Sequence, residues 1–348
     1  MIRPIDTALL VAVAALVACA PAASSTKISS PAVAAPPSAS AAPAAAPTLS
    51  KSAIRAHLAA LVAMNGRGSA SDDEARAAAY VEGALRSSGV SSVPGGPYVH
   101  GFAVGDRASR NVYGYLPAAV EPTDDVVVVG AHIDHLGVAP NGTVFFGAED
   151  NASGVALVLE LARALHDAGD RPRAAILFAF FGSEEIGLLG SREFVAKPPV
   201  PLAHVGLMVN IDMIGRPLVD KRELADAKAL LLMNDRRSVG IVGTDGRPRL
   251  RDAVHASCDA FGIRPYSSED FEGAARAIVV RQAANRGDNA SFENAGIPAV
   301  FFGSGESDDY HRPTDTLDKV DVKIMERRGG AILDFVRRAA RAGTASLR

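Results

Sequence analysis

Four short runs constrain this chain more than anything else in it: "VVVVGA" (126–131), "AAILFAFF" (174–181), "VGLMVNI" (205–211) and "PAVFFG" (298–303). Each is rich in Val, Ile, Leu or Phe, apolar at successive positions, and too short for an ordinary helix. They therefore read as strands buried on both faces. Stretches with helical spacing fall between several of them, at residues 155–166, roughly 249–261 and 288–295. Upstream, "IRAHLAALVAM" and "DDEARAAAYVEGALRSSGV" also have helical spacing, the second ending at Gly89, and "NVYGYL" (111–116) alternates like a strand. A last amphipathic stretch, "KIMERRGGAILDFVRRAA", closes the chain with a glycine pair inside it. No internal repeat is evident. The pattern predicts an α/β fold of three layers, a mainly parallel central sheet with helices on both faces.

Each of these strands leads into residues that can carry chemistry. After the first come His132, Asp134 and His135 in "AHIDHLG"; after the second, Glu184 and Glu185 in "GSEEIGLLGS". The third runs directly into Asp212 in "NIDMIG", and the fourth leads to Tyr310 and His311 in "DDYHRPTDT". In "GAEDNASG" (147–154), Asp150 stands at the head of the helix that comes after the first strand. Open α/β sheets carry their sites beyond the carboxyl ends of the strands, so all these groups are delivered to one edge.

Each stretch taken alone has an ordinary explanation. A lone His is usually not a ligand, an acid pair at a helix start favours the macrodipole, and Asp or Asn before an apolar run caps the first amides. Coincidence after successive buried strands is harder to explain in that way. Clustered carboxylates also repel and raise one another's pKa, a cost that a bound divalent cation removes. Histidine and carboxylate donors without thiolate suit Zn²⁺, with Mn²⁺ or Co²⁺ as substitutes. Two histidines and three or more acids suffice for two metals if one carboxylate bridges, and paired metals lie roughly 3.5–4 Å apart around a shared water.

The chain has 348 residues, 48% hydrophobic and 22% charged, which is ample for a packed core. A net charge of −3 without a basic stretch disfavours nucleic-acid binding, and 5% aromatics with no Trp argues against a stacking surface for sugars or bases. The first fifty residues differ in kind. Arg3, an apolar stretch from Ala8 to Val17 and small residues after it fit a secretory signal, too short to span a membrane. "LVAC", ending at Cys19, resembles the bacterial lipobox, which implies cleavage after residue 18, a lipid on Cys19 and a place in the bacterial cell envelope. Residues 19–48, almost entirely Ala, Pro and Ser, read as a disordered tether, and residues 49–343 as a single folded domain. Cys258 is the only other thiol, so no intramolecular disulfide is expected after processing.

Together "GAHIDHLG", "GAEDNASG", "FGSEEIGLLGS", "NIDMIG" and "YHRPTDT" resemble the co-catalytic zinc aminopeptidase family, which includes glutamate carboxypeptidase-like enzymes, and look especially like its secreted bacterial members. The resemblance covers nearly the whole folded part, in the family's order. It implies a zinc exopeptidase-like fold holding two Zn²⁺, with His132 and Asp212 on one, Glu185 and His311 on the other, and Asp150 bridging. It further implies Glu184 as general base, Asp134 as the partner orienting His132, Tyr310 as a phenol stabilising the tetrahedral intermediate, and a cis peptide between Asp150 and Asn151. In "RGDNASFENAGIPAVFF" the family's usual Asp-His is Asp288-Asn289. The expected activity is removal of N-terminal residues from peptides. A carboxypeptidase or glutaminyl cyclase on the same fold, and a non-catalytic binding module, remain as alternatives, and the oligomeric state is left open.

Overall fold

The computed structural model describes residues 47–218, 236–270 and 287–348. The expected signal sequence, Cys19 and most of the expected tether lie outside the described residues. Among the described residues no helix is long and apolar enough to cross a membrane.

Helix α1 (Lys51–Val62) starts at Ser50, whose hydroxyl accepts from the Ala53 amide. Helix α2 (Asp72–Ser87) starts at Ser71, which accepts from the Asp73 and Glu74 amides, with three acids in the first turn to meet the positive end of the dipole. Strands β1 (Val99–Val104) and β2 (Arg107–Leu116) form an antiparallel hairpin. Strand β3 (Val126–His132) is buried at every position. A two-residue ladder, β4 (Gly137–Val138) with β5 (Val144–Phe145), precedes α3 (Gly154–Asp167). Then come β6 (Ala175–Phe181), α4 (Leu189–Ala196), β7 (Val205–Ile211), β8 (Ser238–Val242), α5 (Pro248–Ala260), β9 (Arg264–Ser267), α6 (Asn289–Asn294), β10 (Ala299–Gly303) and α7 (Val322–Ala342).

Among the described residues the main sheet has eight strands in the order β1-β2-β6-β3-β7-β10-β8-β9. The four strands legible as apolar runs form its parallel centre, β6-β3-β7-β10. The margins depart from that pattern: β2 runs antiparallel to β6, and β8 antiparallel to β10. Within β2, residues 111–115 are buried on both faces instead of alternating, because α2 covers one face of the strand and α4 the other. One face of the sheet packs against α2, α3, α5 and α7, through residues such as Val81, Leu161, Val254 and Phe335, and α1 lies on α3 and α7 with Leu58 in the same core. The other packs against α4 and α6 through Phe194 and Phe292.

The glycine pair does not break α7. A Cβ on Gly329 would stand 2.6 Å from a Leu157 methyl and 2.7 Å from one of Leu49, and a Cβ on Gly330 would stand 2.5 Å from the Phe261 ring. The missing side chains let α7 lie directly on its neighbours, which outweighs the helix-propensity cost of about 1 kcal/mol per glycine.

After β3 the chain crosses through α3 to β6 on one side, then through α4 on the opposite face to β7 on the other side. This reversal makes the carboxyl end of β3 a topological switch point, where the crevice of such a sheet opens. His132 ends β3 in register with Phe181 at the end of β6, and Ile211 ends β7.

Candidate metal centre

Asp150 lies at the middle of the edge that the switch point opens. It sits in an irregular turn, Ala148–Ser153, in which Asp150 and Asn151 leave helical geometry and are joined by a cis peptide. Its two oxygens face opposite ways. Oδ1 is 3.3 Å from His132 Nε2, and Oδ2 is 3.2 Å from His311 Nε2. On the first side Asp212 Oδ1 stands 3.5 Å from His132 Nε2; on the second, Glu185 Oε2 stands 3.1 Å from His311 Nε2. Glu184 Oε2 lies 4.0 Å from His132 Nε2, and the Tyr310 ring stacks on His311 at 3.8 Å.

The five residues His132, Asp150, Glu185, Asp212 and His311 are thus brought together, with Glu184 and Tyr310 on the rim. One donor atom from each of His132, Asp150 and Glu185 falls within 4.8 Å of the others. The donor set fits divalent cations. His311 Nε2 and Asp212 Oδ1 are buried and have no hydrogen-bond partner among the described residues, although oxygens or nitrogens stand close by. Atoms that approach but do not align with one another are what ligands aimed at a common point produce, and oxygen with imidazole nitrogen is the zinc-type set.

Electrostatics show the strain of that crowding. Burial works against charge on His311, but the Asp150 and Glu185 carboxylates override it and push the imidazole up to about 10. His132 is likewise raised, against its burial, by Glu184 and Asp212. Asp150, which burial alone would raise, is held well below the usual carboxylate range by the two imidazoles. Glu184 is raised, by burial first and by the acids around it.

Asp134 sits under the cluster, fully buried. Its carboxylate is 3.6 Å from His132 Nδ1, while its own backbone carbonyl is nearer, at 3.2 Å. The carboxylate's hydrogen bonds come instead from the Glu184 amide (2.9 Å), the Glu185 amide (3.2 Å) and the Ser69 hydroxyl. Asp288 and Asn289 are buried, and neither side chain has an aligned hydrogen-bond partner among the described residues. Burial, with Asp212 and Asp134 nearby, pushes Asp288 up to about 7 against the pull of His132.

Three of the four polar residues of "GAEDNASG", the adjacent Glu149, Asp150 and Asn151, divide the work. Asn151, two residues ahead of the N-cap Ser153, meets the first amide of α3: its Oδ1 accepts from the Gly154 amide at 2.9 Å, and also from Met213 N at 3.2 Å, while its Nδ2 donates to Ile211 O. Both halves of that amide grip the strand end around Asp212. Glu149 accepts from the Gly215 and Arg216 amides and the Ser304 hydroxyl, and burial pushes it up to about 7.

Several residues with no role assigned from the sequence support these loops. Arg67 is fully buried and donates to the carbonyls of Ile133 (3.0 Å), Phe146 (3.0 Å), Gly147 (2.7 Å) and Leu61 (3.2 Å). It thereby ties the His132–Asp134 segment to the turn carrying Asp150. Glu74 accepts from the Ser183 amide and hydroxyl, and Asp315 accepts from the Glu149 and Asp150 amides. Arg67→Met would strand those carbonyls and remove a buried cation from beside the acids, an expected loss of about 3–5 kcal/mol, read as a lower urea midpoint.

Residues 111–336, more than half of the chain, match the model of peptidase family M28. The chain belongs to that family. Among curated relatives it is 27% identical over 312 residues to leupeptin-inactivating enzyme 1 of Streptomyces exfoliatus, covering 82% of this chain and 61% of that protein. It is 30% identical over 242 residues to "Probable lipoprotein aminopeptidase LpqL" of Mycobacterium tuberculosis, covering 60% of this chain and 41% of the relative. It therefore spans less than two thirds of either protein's length. Among solved structures, the M28 chain shares the fold of BSAP, a zinc aminopeptidase from Bacillus subtilis, with TM-score 0.63 and 15% identity over 84% of this chain and 96% of that one. Porphyromonas gingivalis glutaminyl cyclase has the same fold, with TM-score 0.62 and 18% identity over 84% and 99% of the two chains.

Proposed function

We propose that this M28 chain is a di-zinc aminopeptidase, a lipid-anchored exported enzyme whose peptidase domain runs from residue 49 to 343 behind a tether starting at Cys19. The observation that carries the reading is the placement of Asp150, with one oxygen toward His132 at 3.3 Å and the other toward His311 at 3.2 Å. A bridging carboxylate needs that disposition; a capping residue does not. His132, Asp212 and Asp150 would hold one zinc, and Glu185, His311 and Asp150 the other. Bound there, the pair would supply Lewis acidity for a water and for the scissile carbonyl.

The remaining steps belong to the chain's own groups. Glu184 takes the proton of the attacking water and returns it to the departing amine. Asp134, by holding the Glu184 and Glu185 amides, fixes which acid turns toward the substrate and which toward the cation. Tyr310, stacked on His311, offers its phenol to the oxyanion. The name of the mycobacterial relative accords with an aminopeptidase and with lipid anchoring.

The test is hydrolysis of amino-acyl chromogenic amides against N-blocked peptides, with and without chelator. Free amino termini should be required, chelation should abolish turnover, and zinc should restore it. Activity should also fall in acid, because imidazoles and carboxylates must shed protons to bind metal. Cleavage of blocked peptides alone, or full activity in a sample shown metal-free by elemental analysis, overturns the assignment. Anchoring is tested separately: Cys19→Ser should move the protein out of the membrane fraction or leave it uncleaved.

A further inference from the structure

His135 has no place in the ligand set above, yet the fold encloses it completely. Its amide donates to the Arg67 carbonyl at 3.0 Å. Its ring stands edge-on to His311, with centroids 5.8 Å apart and planes at 68°. A Cβ on Gly147 would meet the ring's Cγ and Cδ2 at 2.6 Å, so only glycine leaves the imidazole room. Nδ1 lies 2.8 Å from Glu185 Oε1, and Nε2 is buried with no hydrogen-bond partner among the described residues. An orphaned buried N–H is rarer than an orphaned acceptor, so the proton of the neutral ring belongs on Nδ1, donating to Glu185. The Glu185 carboxylate is then divided: Oε1 is occupied by His135, and Oε2 faces His311 at 3.1 Å.

We propose that His135 is the positioning residue of the Glu185–His311 cation site: it makes Glu185 a one-oxygen ligand by holding the other oxygen, and braces the His311 ring from the side. The proposal rests on the reading of Glu185 and His311 as ligands of the second zinc. It predicts an effect centred on one of the two sites, since its ring reaches Glu185 Oε1, His311 and, at 3.7 Å, Asp150 Oδ2, the oxygen on the His311 side, and not the His132 and Asp212 side of Asp150.

The experiment titrates Zn²⁺ into the metal-free full-length protein against a competing chelator, for the wild type, His135→Leu and His135→Asn. Asparagine sets an amide N–H where Nδ1 stood; leucine has none. The wild type should take up two equivalents. His135→Leu should bind the first with wild-type affinity and the second about 10–100-fold more weakly, and His135→Asn should recover most of that loss. Thermal unfolding of the metal-free forms checks that the variants fold; should the leucine variant not fold, His135→Gln, whose longer amide misplaces the donor, replaces it. Unchanged affinities in the donor-less variant, equal weakening of both sites, or an asparagine variant no better than leucine overturns the proposal. A wild type that binds fewer than two equivalents instead overturns the di-zinc reading on which it rests.

Discussion

Glu184→Gln should retain both zinc ions, still bind substrate, and lose turnover by about 10²–10⁴-fold, the range for removing a general acid–base. The adjacent Glu185→Ala should do something different, lowering bound metal and emptying the second site first. Adjacent acids can diverge in this way because the turn that carries them is rigid. Ser183 has a positive φ of 54° and is fastened through its amide and hydroxyl to Glu74. The Glu184 and Glu185 amides are both held by Asp134, so the two side chains leave the backbone in fixed and different directions. Glu184 then stands toward His132, and Glu185 toward His135 and His311. Glutamine keeps the shape and hydrogen-bonding of Glu184 while removing its basicity. Metal content and kcat measured on the two variants decide the matter. If Glu184→Gln loses zinc while Glu185→Ala keeps both ions, the two roles are reversed.

Asp150→Asn should be the most damaging single change at this edge: both metal equivalents weakened together, and turnover reduced to background. The amide keeps the volume, but its NH₂ cannot ligate and its charge is gone, so one side of the bridge is lost outright and the other is weakened. The chain should still fold, because the loop is held by Glu149, Asn151 and Asp315 and not by the Asp150 carboxylate. The check is a zinc titration alongside an unfolding curve. Loss of one equivalent only, with the other unchanged, would show that Asp150 serves a single cation.

The parallel centre of the sheet is legible in the sequence because β3, β6, β7 and β10 are covered on both sides, and such strands leave an unbroken apolar signature. The marginal strands leave none. β9 reads "RPYS", with a proline and two polar residues, and β1 alternates only between half-buried and exposed positions. Both join the sheet through backbone pairing, which does not depend on side-chain type. The acids and imidazoles at the strand ends are legible for the same reason as the strands: their position comes directly from where each apolar run stops. Their supports are not. Glu74 acts on Ser183 from 109 residues away, and Asp315 on Glu149 from 166, and no local pattern announces contacts that only the finished fold creates. His135, Glu149 and Asp315 do lie inside the strand-end motifs, so the signal that could have found them was an excess of polar groups over the number the chemistry needs. For Arg67, in "NGRGS", no such excess exists.

The acids that never meet a substrate have a mechanical consequence. Glu74, Asp134, Glu149 and Asp315 each take backbone amides from a loop other than their own, so the segments bearing Asp150, Glu184, Glu185 and Asp212 are cross-tied into a closed frame. Such a frame has few soft directions, since one loop cannot shift without stretching bonds in the next. The turn carrying Tyr310 and His311 forms the more open wall: His311 is 35% exposed, although the turn is tied back through Asp309 and Asp315 around it. For the proposed peptidase, a substrate would therefore enter and the freed residue leave over that wall, while His132, 2% exposed, lies at the closed floor.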